Sequence, residues 1–224
     1  MKKKHILIPL LLIMTFIFAS CSQLDVIGNK SITSFKEVLD AMPDKIAADE
    51  VNGGWTLTAP DNSAKFFWSK DFSKSKLYDA MLEFDAKPFI DAGLDINKLP
   101  DGMVSEDKLV VGVELSSESI TYDGEATPIA SYEKIVELKR DSIGYHAALD
   151  HFGVDLAGGN MFEWAMDIGM NDKDIVFVLN PQVFIDAGVD PEKVEGWVFA
   201  KVETMDMNGK KVEVDKFLKP FNIK

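Results

Sequence analysis

FIDAGLD at residues 89–95 and FIDAGVD at residues 184–190 are the same phrase written twice. Six of the seven letters agree, and the seventh exchanges Leu94 for Val189. The copies lie 95 residues apart, and the likeness continues upstream. FFWSKD from Phe66 lines up with FEWAMD from Phe162, which puts Trp68 and Trp164 96 residues apart. SFKEVL from Ser34 lines up with SYEKIV from Ser131, 97 apart. A drift of one or two positions is what small loop changes produce. A unit this long that occurs only twice is not a solenoid repeat. It predicts a duplicated unit whose two copies pack together.

Each copy reads as the same series of elements. Ser34-Phe-Lys-Glu37 has capping-box spacing, and Phe35, Val38, Leu39 and Met42 follow at helical intervals. Strands are expected at Trp55–Thr58, Lys65–Ser69, Leu77–Phe84 and Leu109–Leu115, with a short helix at Pro88–Ala92. The second copy predicts a helix near Ser131–Arg140 and strands near Tyr145–Leu149, Met161–Met166, Asp174–Leu179 and Trp197–Glu203. A short helix at Gln182–Ala187 precedes the last of these. Asn208-Gly209 then turns the chain into one more strand, Lys211–Asp215. The expected fold is α+β, with two tandem similar halves, each roughly helix-strand-strand-strand-short helix-strand, packed with pseudo-two-fold symmetry. The halves are residues 34–120 and 128–224, joined by 121–127.

Within the repeated phrase, Gly93 and Gly188 stand where a helix ends, a place that favours a positive φ. Asp95 and Asp190 are placed to cap the next turn, and Pro191 takes the first position of a turn that tolerates proline. Every letter has a structural task, so the phrase predicts a turn needed twice in preference to a duplicated active site.

The N-terminus carries a different signal. Lys2, Lys3 and Lys4 precede an apolar run from Ile6 to Ala19, 14 residues long. That suits a secretory signal and falls short of the roughly 18 residues of a membrane-spanning helix. The run ends in Phe18-Ala19-Ser20-Cys21. This resembles the lipobox of bacterial lipoproteins, with Phe18 where that family usually carries Leu. The resemblance covers the first 21 residues alone. It implies a signal peptide at 1–20, a lipidated Cys21 as the first residue of the mature chain, and a short tether over 21–33. It also implies an exported protein held at a bacterial cell membrane or outer membrane by acyl chains of the palmitate type. Two such chains suffice for stable anchoring.

Composition narrows the rest. Beyond residue 20 the chain holds 21 basic and 37 acidic residues, a net charge of −16. An acidic body argues against nucleic acid as a partner. Arg140 is the sole arginine, so there is no cluster of planar forks for phosphate or carboxylate ligands. Cys21 is the sole cysteine, which rules out an intrachain disulfide.

No catalytic set emerges from the residues. His146 and His151 are the mature chain's only histidines, and a spacing of five suits neither a zinc-binding helix face nor one side of a single strand. Met161, Met166, Met170, Met205 and Met207 raise copper(I) as a ligand, against the commoner reading as core filling. NDKD (171–174) and DMNG (206–209) lack the spacing and distal Glu of a calcium loop. No cofactor and no metal is expected. Trp68 and Trp164 occupy equivalent positions and are the candidates to flank a small-molecule, carbohydrate or protein ligand between the halves, against the alternative that both are core residues. The expected function is a membrane-anchored lipoprotein with a non-catalytic binding or surface-assembly role. The alternative is a cell-envelope hydrolase using paired Asp/Glu on carbohydrate.

Overall fold

A computed structural model describes residues 21–70, 72, 78–115, 126–146, 149–170, 173–205 and 211–223. Residues 1–20, expected to be a signal peptide, most of the joint expected at 121–127, residues 171 and 172 of NDKD, and the turn expected at Asn208-Gly209 lie outside them. The first half runs α1 (Cys21–Ala41), β1 (Ile46–Asp49), β2 (Gly54–Thr58), β3 (Ala64–Ser69), β4 (Ala80–Asp85), α2 (Lys87–Asp91), β5 (Val104–Ser105) and β6 (Lys108–Val113). The second runs α3 (Pro128–Leu138), β7 (Ile143–His146), β8 (His151–Asp155), β9 (Met161–Ala165), β10 (Ile175–Leu179), α4 (Gln182–Asp186), β11 (Val198–Met205) and β12 (Lys211–Phe221).

The fold is α+β in two similar halves. Each half is a six-stranded antiparallel sheet, ordered β1-β2-β3-β4-β6-β5 and β7-β8-β9-β10-β12-β11. The two orders correspond strand for strand. The sequence predicts four strands per half and one extra at the end. The last strand is instead the counterpart of β6, and β11 answers to β5, which is only two residues long. The strands missed by pattern have little pattern to show. β1 is an edge strand of sequence IAAD, and β8 (HFGVD) carries a glycine and two polar ends.

α1 also begins earlier than expected. Residues 21–33 are the first half of this helix, not a tether, and Ser34 sits in its middle instead of capping it. The cause is close packing on α3. A Cβ at Gly28 would lie 2.8 Å from Val136 Cγ1, so only a glycine lets the helices approach there. Three residues on, the buried Ser31 hydroxyl meets the Tyr132 hydroxyl at 3.1 Å.

The halves meet through residues that touch their own counterparts. In a two-fold association, a residue contacts its equivalent only near the axis. Phe66 and Phe162 stack at 4.2 Å with ring planes 3° apart. Phe35 and Tyr132 lie 4.4 Å apart, and Phe89 and Phe184 5.0 Å. The repeated phrases complete the axis. Asp95 N–H donates to Ala187 O at 2.9 Å, and Asp190 N–H donates to Ala92 O at 2.9 Å. Gly93 has φ of +108° and Gly188 of +105°. A Cβ on Gly93 would sit 2.8 Å from Gly188 O, and one on Gly188 3.0 Å from Gly93 O. Asp95 and Asp190 side chains accept from the N–H of Asn97 and Glu192, fixing the turn that follows each phrase.

The helices are exchanged between the sheets. Trp164 of β9 donates to Ser34 Oγ of α1 at 2.8 Å. In the reverse direction, Trp55 of β2 donates to Ser131 Oγ of α3 at 3.1 Å, and Trp68 of β3 to Pro128 O at 2.9 Å. The inward faces of both sheets and both helices form one continuous apolar cluster. Two buried aspartates in equivalent places close the ends of β6 and β12. Asp79 accepts from Leu115 N–H, and Asp174 from Ile223 N–H, each at 2.7 Å.

The glycine contact makes a quantitative prediction. Gly93→Ala and Gly188→Ala should each cost more than the roughly 1 kcal/mol expected from positive φ alone. Because each methyl pushes the other phrase away, the double variant should cost less than the sum of the singles. Denaturant melts of the four proteins measure this, and additive costs near 1 kcal/mol would show that the phrases do not touch.

Candidate functional site

Trp68 and Trp164 do not flank a cleft. Both are fully buried, and each indole N–H is taken up by the other half's helix as described. Each fastens the other half's helix in the core, Trp164 through Ser34 and Trp68 through the Pro128 carbonyl. The ligand role expected for them is therefore corrected.

The structure instead gathers His146, His151 and Glu163. The spacing argument treats residues 145–149 as one strand. The chain leaves β7 at His146 and enters β8 at His151, so the two histidines face each other across a hairpin. Glu163 on β9 lies opposite Gly153 of β8. Side chains alternate along a strand. With Phe152 and Trp164 in the core, His151 and Glu163 point to the outer face of the sheet. Gly153 makes the room: a Cβ there would come within 3.2 Å of Glu163 Cγ. The counterparts in the first half are Asp49, Gly54 and Phe67, and there the slot is apolar, with Phe67 packed on Met81 and Val110.

Glu163 is fully buried, and its carboxylate oxygens lie 3.2 Å from His146 Nδ1 and 3.8 Å from His151 Nδ1. None of the four atoms has an aligned hydrogen bond. Burial pushes the Glu163 carboxyl up, but the charge of His146, then the contacts to His146 and His151, outweigh it and hold the group at about 2. Lys216 on β12 adds charge nearby. Its ammonium is depressed by burial and raised by Glu163 and Asp155, and it donates to Gly159 O at 2.5 Å. Asp155 is raised by burial, which the Ala157 N–H and Lys216 oppose. The hairpin of β11 and β12 packs on the same face through Val202, which joins Met161, Val176, Val178 and Leu218 in a second apolar cluster.

The cluster is thus enclosed charge, suited to holding β7, β8 and β9 together. Among the described residues no group of three or more His, Cys, Asp or Glu side chains can hold a metal ion. Of the methionines raised as copper ligands, Met161 is buried, Met166 packs on the core and Met170 is exposed, so these three do not share one environment. The side chains of Met205 and Met207 lie outside the description. No helix among the described residues is long and apolar enough to cross a membrane.

An open depression lies elsewhere, between α1, β1 and the start of α3. It encloses about 320 Å³. Leu39, Pro43, Ile46, Pro128 and Ile129 make its apolar lining, and Lys36 and Asp40, paired with each other, complete it. The volume is at the lower end of the roughly 300–1,000 Å³ of small-ligand pockets.

No protein family, curated protein or solved structure matches this chain.

The buried carboxylate predicts a pH dependence with a definite sign. A folded-state value below the ordinary 4.5 means that Glu163 adds stability above pH 4.5, and that this contribution is lost as pH falls toward 2. Glu163→Gln should therefore be less stable than the parent just above pH 4.5, and the two acid-unfolding curves should converge between pH 4.5 and 2. Curves that stay parallel across that interval would contradict the ion pairing.

Proposed function

We propose that this protein is exported, anchored to a bacterial membrane through lipid on Cys21, and acts there as a non-catalytic binding or assembly component. The observation that carries the reading is Phe18-Ala19-Ser20-Cys21, and the described residues that follow are helical through Ala41. Cys21 stands ten helical steps before the buried Ser31, a distance of about 15 Å at 1.5 Å per residue. The body would then ride on a helix packed into its own core, and its pose at the membrane would be set by α1. The net charge of −16 beyond residue 20 fits attachment by acyl chains in place of attraction to anionic lipid. The non-catalytic part of the reading is supported by the enclosure of the His–Glu cluster and by the mainly apolar lining of the open depression, whose two charged residues, Lys36 and Asp40, pair with each other.

Expression of the full chain with labelled palmitate tests the anchor. The parent should carry label and sediment with membranes, and Cys21→Ser should lose both. An unlabelled parent, or a Cys21→Ser variant that stays with the membrane fraction, would end the proposal.

A further inference from the structure

The open depression has a filled counterpart in the same molecule. Shifting its lining by 97 residues turns Leu39, Pro43 and Ile46 into Val136, Arg140 and Ile143. That surface of the second half is covered by the N-terminal part of α1. Gly28 rests against Val136, Asp25 pairs with Arg140, and Ile143 is buried. At the end of the depression, Pro128 and Ile129 correspond to Ser31 and Ile32 of α1. The asymmetry has a local cause. α1 continues ten residues beyond Ser31 toward its N-terminus, whereas α3 starts at Pro128. Thr127 there is extended, with φ of −103° and ψ of 161°, and its side chain caps Ala130 N–H. A residue before proline is driven away from helical backbone, so α3 cannot be continued as a helix to cover its own depression.

From this we infer that the depression is a docking site for an amphipathic α-helix of a partner protein, seated as residues 21–31 of α1 are seated on the second half. The chemistry of the occupant follows from the lining. A small residue is required where Gly28 sits, because Leu39 takes the place of Val136. The position of Asp25 should be neutral or apolar, because Pro43 replaces Arg140 and offers no charge. An aliphatic residue at the position of Ile27 would meet the apolar floor, in the manner of helix-in-groove recognition by a few anchors. The inference rests on the binding role proposed above, but its test does not involve lipid, so either can fail alone.

The probe is the chain's own helix: a helix-stabilised, fluorescently labelled peptide of residues 22–33 with Asp25→Ala. It is titrated by anisotropy against the mature chain carrying Cys21→Ser. Saturable binding is expected. It should weaken at least ten-fold with Gly28→Leu in the peptide and with Ile129→Glu or Pro43→Glu in the protein. Pro43 is exposed and Ile129 is partly buried against the core, so thermal melts of both variants are required to show that they remain folded. A spin label on the peptide should broaden the methyl resonances of Ile46 and Ile129, which reads the site without any protein variant. Absence of saturable binding up to millimolar peptide overturns the proposal, as does binding indifferent to the substitutions or broadening elsewhere. Self-association of the chain that Ile129→Glu abolishes would assign the depression to a second copy and overturn it as well.

Discussion

Two backbone segments press against each other where Gly93 meets Gly188, and the rest of the molecule is arranged around that contact. The reciprocal hydrogen bonds from Asp95 to Ala187 and from Asp190 to Ala92 are made by main chain alone, and the approach leaves no space for a side chain on either glycine. Such a contact sets the register between the halves, because hydrogen bonds are directional and two backbones this close admit little slippage. Phe89 and Phe184, four residues before the glycines, are thereby brought together. Phe66 on Phe162 and Phe35 on Tyr132 follow along the same axis. With the axis set, each helix lies against the other half's sheet, where Trp55, Trp68 and Trp164 fasten it.

The duplication, the α+β class and both short helices were legible in the sequence, because each depends on local spacing. The phrase could be read as a helix stop followed by a capped turn for the same reason. That the two phrases bind each other was not legible, since nothing in either copy encodes its distance from the other. The tryptophans illustrate the same limit. Equivalent position is compatible with a cleft or a core, and only the tertiary pairing with Ser34 and Pro128 decides it. The N-terminal half of α1 hides behind its composition: Gly28, Asn29 and three hydroxyl residues between 22 and 33 are poor helix formers, and packing on α3 overrides that preference. His146 and His151 were assigned to different faces because their hairpin turn carries no glycine or proline to announce it.

Where the halves agree, the agreement serves stability. Where they differ, the differences fall at three places. The apolar slot around Phe67 becomes an enclosed Glu163 with two imidazoles in the second half. The two-residue β5 becomes the long hairpin of β11 and β12, whose Val202 packs on the outer face of the sheet. The first helix carries described N-terminal turns back to Cys21 that α3, which starts at Pro128, lacks, and among the described residues no helix covers the depression beside Ile46 and Ile129. Asp61 of the first half reaches Lys219 of the second at 3.1 Å, and Trp197 and Phe221 lie within 6 Å of the same ammonium, so one shared cation also ties the halves together.

The central claim is that the halves are one cooperative unit locked by the paired phrases. Native-state hydrogen exchange at the amides of Asp95 and Asp190 tests it most directly, since each is bonded to a carbonyl of the opposite half. The account predicts that both amides exchange only through global unfolding, with a denaturant dependence equal to that of the whole chain. Exchange of either amide through a smaller opening, while the strand amides of its own sheet stay protected, would show that the halves separate without unfolding and would contradict the account.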